Sequence, residues 1–418
     1  MAAGEHPCEH GLTPECFAAS PKWARQAFAA RLINTLAPPA ITRRLPQLHK
    51  LLAFPPPPAW PPGDPVPPPI DPGTDPPLPP GYDPGPGPIP PIYVPPGEPG
   101  PVHPPSPSPL IGGLFVAVAS TGTGNRVMTS PDGIVWTVGV TPVDNNWTSV
   151  CRSPKLGLFC AVANTGNGNQ VMTSPNGIDW TIRVTPLAET WSSVCWSPKL
   201  GIFCAVAASG STNQVMTSPD GITWTARTAS SFEDWTSICW SPFLDLFAAV
   251  TKPFSGIDCM TSPDGITWTN RQTQFYEKWS SVCWCPGPSQ FCAVAEYGSE
   301  NLVMISPNGV DWALRPTPEN LEWASVCWSP KLTLACAVAL WGTGKSVMTS
   351  PDCFNWTSRY TPVNNQWTSV CWSPELGLFC AVANTGVGNR VMTSPDGVTW
   401  SIGVSPADND FTAVCWGI

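Results

Sequence analysis

The stretch from 111 to 418 contains no histidine; His6, His10, His49 and His103 all precede it. That absence excludes Ser-His-Asp and Cys-His chemistry, and histidine metal sites, from three quarters of the chain. Charge is scarce too. Asp, Glu, Lys and Arg make up 12% of the 418 residues, and the formal net charge is −9. Nucleic-acid binders carry basic patches that neutralise phosphates, and anionic membranes attract polybasic segments, so neither partner is expected. No run approaches 18 apolar residues, so no membrane insertion is expected either. The first twenty residues are polar and carry acids, without an apolar run of signal-peptide type. The expectation is synthesis in the cytosol.

What the chain does have is repetition. Ser-Pro-(Asp/Asn)-Gly-x-x-Trp or a near copy recurs seven times at a spacing of 44 residues, with serines at Ser130, Ser174, Ser218, Ser262, Ser306, Ser350 and Ser394. The tryptophans follow at Trp136, Trp180, Trp224, Trp268, Trp312, Trp356 and Trp400. Such a period means one supersecondary unit copied into a stack or ring. Within the unit that starts at 147, WTSVC, LFCAVA, QVMTS and DWTIRV are rich in Val, Thr and aromatics and are bounded by Pro, Gly and Asn. Four short strands per unit, seven times over, predict an all-β, seven-bladed β-propeller over 111–418. The first unit begins at its second strand (LFVAVA), and the chain ends on an orphan first strand, FTAVCW. The C-terminal strand is therefore expected to pair with 114–140 and close the ring.

Two other regions precede the repeats. Residues 1–54 carry six Lys/Arg and three Asp/Glu, with Trp23, Phe28, Leu32 and Leu36 at helical spacing and a second leucine-rich stretch near 40–53. Two short amphipathic helices bury little by themselves, so this module is expected to dock onto other structural proteins of an assembly. Residues 55–110 hold 28 of the 55 prolines, five acids and no Lys or Arg. Proline fixes φ and removes a donor, which favours a polyproline II linker. The same composition also suits a ligand of a proline-binding domain such as SH3.

In the repeated turn, Pro suits the second position of a type I turn, Asp the third, and Gly the left-handed residue that follows. Asp132, Asn176, Asp220, Asp264, Asn308, Asp352 and Asp396 are thus read as structural turn residues, not metal ligands. Cys353 stands where the other turns have Gly, and strain is expected there. The motif resembles the Asp-box, or BNR-type, repeat of sialidase-like propellers, in the shorter form Ser-Pro-Asp-Gly-x-x-Trp. The units W-(T/S)-S-V-C-W-S-P, G-x-F-C-A-V-A and V-M-T-S-P-D-G-x-x-W look like propeller repeats of phage tail and other virion proteins. That resemblance covers 111–418. It implies a non-enzymatic virion fibre, spike or decoration component, located in a virion or extracellular assembly.

Fifteen of the 17 cysteines fall in the repeats. Cys151, Cys195, Cys239, Cys283, Cys327, Cys371 and Cys415 share one position of the first strand, and Cys160, Cys204, Cys292, Cys336 and Cys380 lie nine residues later on the second. In a tight hairpin these are opposite each other. Val116 and Ala248 at the second position suggest a buried slot for thiols; cross-strand disulfides are the alternative. His6, Cys8, His10 and Cys16 admit zinc, a Cys8–Cys16 disulfide, or neither.

No catalytic residue, cofactor or metal is assigned. A carboxylate glycosidase needs only paired acids, so a sialidase-like hydrolase stays as an alternative, beside a carbohydrate-binding lectin-like propeller. Arg183, Arg227, Arg271, Arg315 and Arg359 recur in register on the fourth strand and read as blade-surface residues. Scaffold turns repeat, whereas blade-to-blade loops diversify, so the loops are the expected recognition surface. Phe232, Phe254, Phe275, Tyr276, Tyr297 and Trp341 fall on loops of that face in one sector, with Glu233, Asp234 and Glu277 nearby. Aromatics with acids suit a cell-surface glycan or a protein receptor.

Overall fold

The computed structural model describes residues 112–252, 256–273, 275, 277–298 and 301–418. The docking module, the linker and the Cys/His group near the N-terminus lie outside the described residues, as do Phe254 and Tyr276. Among the described residues, twenty-eight strands form seven four-stranded antiparallel sheets. Six sheets run in chain order from an innermost to an outermost strand. The first blade differs: Phe411–Gly417 is its innermost strand, followed by Leu114–Ala119, Val127–Ser130 and Thr137–Gly139. The ring is therefore closed by the C-terminal strand, whose Cys415 faces Val116 and whose Val414 faces Ala117. This is a seven-bladed propeller.

Burial follows strand position. Every residue of the second strand Leu114–Ala119 is buried, which is why it reads as an unbroken apolar run and not as an alternation. Its two faces enter different clusters. Val116 and Val118 pack with Trp147, Val150 and Phe159 of the second blade, while Phe115, Ala117 and Ala119 pack with Cys380 and Val382 of the seventh. The core is thus a series of interblade layers. The outermost strands are three residues long and partly exposed, and short edge strands discourage pairing with other chains.

The innermost strands present a different problem. Their free edges face the axis, and unpaired backbone groups there are costly. Each blade completes its neighbour's edge with hydroxyls. Thr148 Oγ1 donates to the Trp191 carbonyl at 2.7 Å, and the same bond recurs from Ser192, Thr236, Ser280, Thr368 and Thr412 at 2.5–2.7 Å. One position further on, Ser149 Oγ accepts the Val194 amide at 3.2 Å, repeated by Ser193, Ser237, Ser281, Ser325 and Ser369. Each circle is broken once, by Ala324 and Ala413 respectively. Ala324→Thr should restore the missing donor to the Trp367 carbonyl and stabilise the fold by about 1 kcal/mol. Chemical denaturation would show it; a variant no more stable than the parent would refute the role given to these hydroxyls.

The turn motif works as its residues imply. In the first blade the Gly133 amide donates to Ser130 Oγ at 2.8 Å, and the Ile134 and Val135 amides donate to Asp132 Oδ1 at 2.8 and 2.9 Å. The Trp136 indole N–H donates to the Gly133 carbonyl at 3.1 Å, and Gly133 has a φ of 75°. Where Asn replaces Asp, its Oδ1 accepts the same two amides. Its Nδ2 then donates to an aspartate three residues on, Asp179 at 2.9 Å or Asp311 at 2.8 Å. The carboxylate has moved along the turn and not been lost.

Burial alone would raise the turn carboxyls, but the amides and serine hydroxyl that donate to them outweigh it. Asp132, Asp220, Asp264 and Asp396 are held below the usual range, and Asp352 falls to about 2. A depressed folded value gives stability that is complete above the unfolded value, near ~3.9, and lost as pH falls through the folded one. Melting temperature should therefore drop between about pH 4 and pH 2. Replacing these five aspartates by Asn should flatten that fall, measured as melts at the two pH values.

All fifteen described cysteines are free thiols. Cys151 and Cys160 are directly opposite, as are Cys195 and Cys204, Cys283 and Cys292, Cys327 and Cys336, and Cys371 and Cys380. Burial, then the neighbouring thiols, pushes Cys151, Cys195, Cys239, Cys327 and Cys371 well above the ordinary thiol range. Such thiols are poor nucleophiles and serve as small apolar spacers.

Candidate functional site

The hydroxyls that seal the inner edges also line an axial cup of about 330 Å³. Ser192, Thr236, Ser280, Thr368 and Thr412 form its wall, with Ala324 at the broken position. Each hydroxyl spends its hydrogen on backbone carbonyls. Thr236 Oγ1, for example, reaches the Val250 and Trp279 carbonyls at 3.1 and 2.7 Å. Oxygen lone pairs are what remain, so the wall favours a ligand rich in donors, such as a polyol.

The rim departs from this uniformity over three consecutive blades. At one repeat position, where the second strand ends, the cup is lined by Ala208, Lys252, Glu296 and Leu340. Lys252 Nζ lies 2.7 Å from a Glu296 carboxylate oxygen, and both side chains are about one-third exposed. Tyr297 and Trp341 follow Glu296 and Leu340 directly in the chain and are 68% and 58% exposed. The Lys278 ammonium sits 5.6 Å from the centre of the Tyr297 ring. A hydroxyl-lined cup thus has one edge bearing an ion pair and two outward aromatic rings.

The other residues singled out from sequence divide. Phe232 is exposed. Phe275 is half-buried and packs onto the core cluster of the fifth and sixth blades. Glu233 and Glu277 are buried, and so do not offer carboxylates to the loop surface. Their repeat position is a loop clamp. Asn145 Nδ2 there donates to the Asn169 carbonyl at 2.8 Å, and the Glu189 carboxylate accepts the Ser211 amide and hydroxyl. The backbone at this position takes part too: the Glu189 and Glu233 carbonyls accept from Gln170 and Gln214 Nε2 at 2.5 and 2.6 Å. Asp234 is half-buried beside Lys252; burial first, then Glu233, raises its carboxyl against the pull of Lys252.

One buried acid was not singled out from sequence. Asp258 occupies the position held by Gln170, Gln214 and Arg390 in other units. Burial raises it to about 6, although Thr273 donates to it through both its amide and its hydroxyl. The recurrent arginines lie on blade faces. Arg183, Arg227, Arg271 and Arg359 each donate from Nε to a threonine of the adjacent strand at 2.8–3.0 Å. Ile305 stands in that threonine's place in the fifth blade, and Arg315 instead lies over the Phe354 ring at 4.3 Å.

No protein-family model and no curated protein matches the chain. Solved propeller structures do. A streptogramin B lyase structure is 8% identical over 71% of this chain and 88% of that one, with a TM-score of 0.54. The likeness is one of fold. A provisionally assigned 6-phosphogluconolactonase from Bacteroides uniformis is 11% identical over 73% of this chain and 99% of that one, at 0.55. A protein from Lactobacillus plantarum has the same coverage and TM-score at 9% identity. At these identities neither lyase nor lactonase chemistry transfers.

Proposed function

We propose that this chain is a non-enzymatic attachment protein that binds a surface glycan through the loop face of its propeller. The observation that carries this reading is the edge formed by Lys252, Glu296, Tyr297 and Trp341 beside the hydroxyl-lined cup. Exposed rings stack on sugar faces, and the cup's oxygens accept from sugar hydroxyls. Among the described residues the one carboxylate lining the cup, Glu296, is held by Lys252, whereas carboxylate glycosidases use two acids across the scissile bond. That favours binding over turnover. The docking module and linker read from residues 1–110, with the resemblance of the repeats to virion propellers, favour a component of a virion-like assembly. A free lectin is the second reading, supported by the same edge.

The full chain, screened on a glycan array, should bind a defined set of sugars. Tyr297→Ala with Trp341→Ala should weaken that binding at least tenfold and leave the melting temperature within about 5 °C. Unchanged binding would remove the site, and a larger fall in melting temperature would make the rings structural. Deleting 1–54 should abolish incorporation into purified particles while sparing glycan binding. If the chain occurs only as free protein, the lectin reading replaces attachment.

A further inference from the structure

Four departures from the repeat fall in two different blades and meet at one interface. Cys353 replaces the turn glycine in the sixth blade, and Ala335, in the same blade, replaces a phenylalanine present in the other six. In the fifth blade Gln290 replaces Leu or Ile, and Cys285 replaces a serine that in five other blades accepts the amide three residues on. The geometry of an ordinary turn shows why they belong together. A Cβ added to Gly309 would lie 2.9 Å from Leu246 of the preceding blade and 3.3 Å from the ring of Phe291. At Cys353 these two neighbours are Gln290 and Ala335. The smaller Ala335 side chain makes room, and Gln290 Nε2 donates to the Asp352 carbonyl at 3.0 Å. Cys353 keeps the left-handed backbone, with a φ of 58°, a strained conformation for a non-glycine residue. Space and strain have both been arranged around one thiol.

That thiol has company. Cys285 lies directly opposite Gln290 in the strand pair, Cys285, Cys292 and Cys353 share one buried cluster, and Cys283 Sγ lies 3.6 Å from Cys285 Sγ. Cys285, Cys292 and Cys353 are all fully buried. The neighbouring Cys285 and Cys292 thiols hold Cys353 well below the ordinary thiol range, against burial, whereas burial pushes Cys285 well above it. Among the described residues no group of three or more His, Cys, Asp or Glu is arranged to hold a metal ion. A low thiolate beside a protonated thiol is the arrangement of an oxidisable pair.

We infer that Cys353 and Cys285 form a redox-dependent disulfide that staples the fifth blade to the sixth. Because both thiols are fully buried, the oxidant is water-sized, of the hydrogen peroxide class. The Cys353 thiolate attacks a peroxide oxygen: an S–O bond forms, the O–O bond breaks, and hydroxide leaves and takes a proton from solvent. The Cys285 thiol then attacks the sulfenic sulfur: the S–S bond forms, the S–O bond breaks, and water leaves. The two thiols lose two electrons and peroxide gains them.

The test treats the native full chain with hydrogen peroxide, alkylates free thiols, and maps peptides without reduction. The expected product joins the Cys285 and Cys353 peptides with the loss of two hydrogens, and it raises the melting temperature by about 5 °C or more. Cys285→Ser restores the residue of other blades and should remove both effects while folding normally. Cys353→Gly with Ala335→Phe restores the ordinary turn and should do the same. Four thiols still alkylatable after peroxide, a link between other cysteines, or a stoichiometric zinc or copper ion in the purified protein would each overturn the proposal.

Discussion

Removing residues 411–418 should abolish the folded propeller, not trim it. These residues are the innermost strand of the first blade, hydrogen-bonded along Leu114–Ala119. Phe411 is fully buried in the layer shared with the seventh blade, and losing one such side chain costs about 3–5 kcal/mol. The Trp416 ring packs edge-on against Phe115 at 4.6 Å and donates from Nε1 to Glu375 at 2.5 Å. Thr412 also seals the edge of the second blade through the Trp147 carbonyl. Net stability of a domain is about 5–15 kcal/mol, so these losses together exceed it. The truncated chain should aggregate or melt without a cooperative transition in circular dichroism. Adding a peptide of sequence 411–418 should restore part of the transition. A truncated protein that melts within about 5 °C of the parent would show that the blade does not need its inner strand.

Trp191→Ala should cost about 3–5 kcal/mol, while Trp191→Phe should cost about 1 kcal/mol or less. The indole is fully buried at the start of an innermost strand. It packs with Cys160, Val162 and Val171 of the second blade and with Phe203 and Met216 of its own. Truncation to Ala leaves a cavity between two blades that cannot close without shifting both. The indole N–H has no hydrogen-bond partner among the described residues, and the same is true of Trp147, Trp323 and Trp367. What the position requires is therefore a large flat ring, and the chain itself places Phe411 there in the first blade. Urea denaturation of the two variants separates volume from hydrogen bonding. A Phe variant as weak as the Ala variant would contradict that reading.

The parts of this structure that the sequence displays are those closed within one unit. A hairpin brings Cys151 opposite Cys160 whatever the neighbouring blades do, and the Ser-Pro-Asp-Gly turn is built from its own seven residues. Ring closure was legible because the repeat starts and stops out of phase. Contacts between units are harder to read. Thr148 and Trp191 are 43 residues apart, and nothing in W-T-S-V-C says that its first hydroxyl crosses to the next blade. The cup draws its wall from six innermost strands, so no stretch of chain spells it out. Glu233 and Glu277 looked like loop acids because they sit among polar residues, but each lies immediately before its strand and two residues ahead of a buried tryptophan. Their backbone follows that ring inward. The Cys285–Cys353 meeting needs the turn of one blade laid against the strands of the blade before it.

Closure by the last strand also decides how the domain carries load. A pull arriving through residue 112 enters at Leu114–Ala119, and that strand is clamped on one side by Phe411–Gly417 and on the other by Val127–Ser130. Tension along it must shear two hydrogen-bonded ladders together, where a strand at a free edge would peel from one, bond by bond. The N-terminal end of the propeller is therefore its mechanically reinforced end.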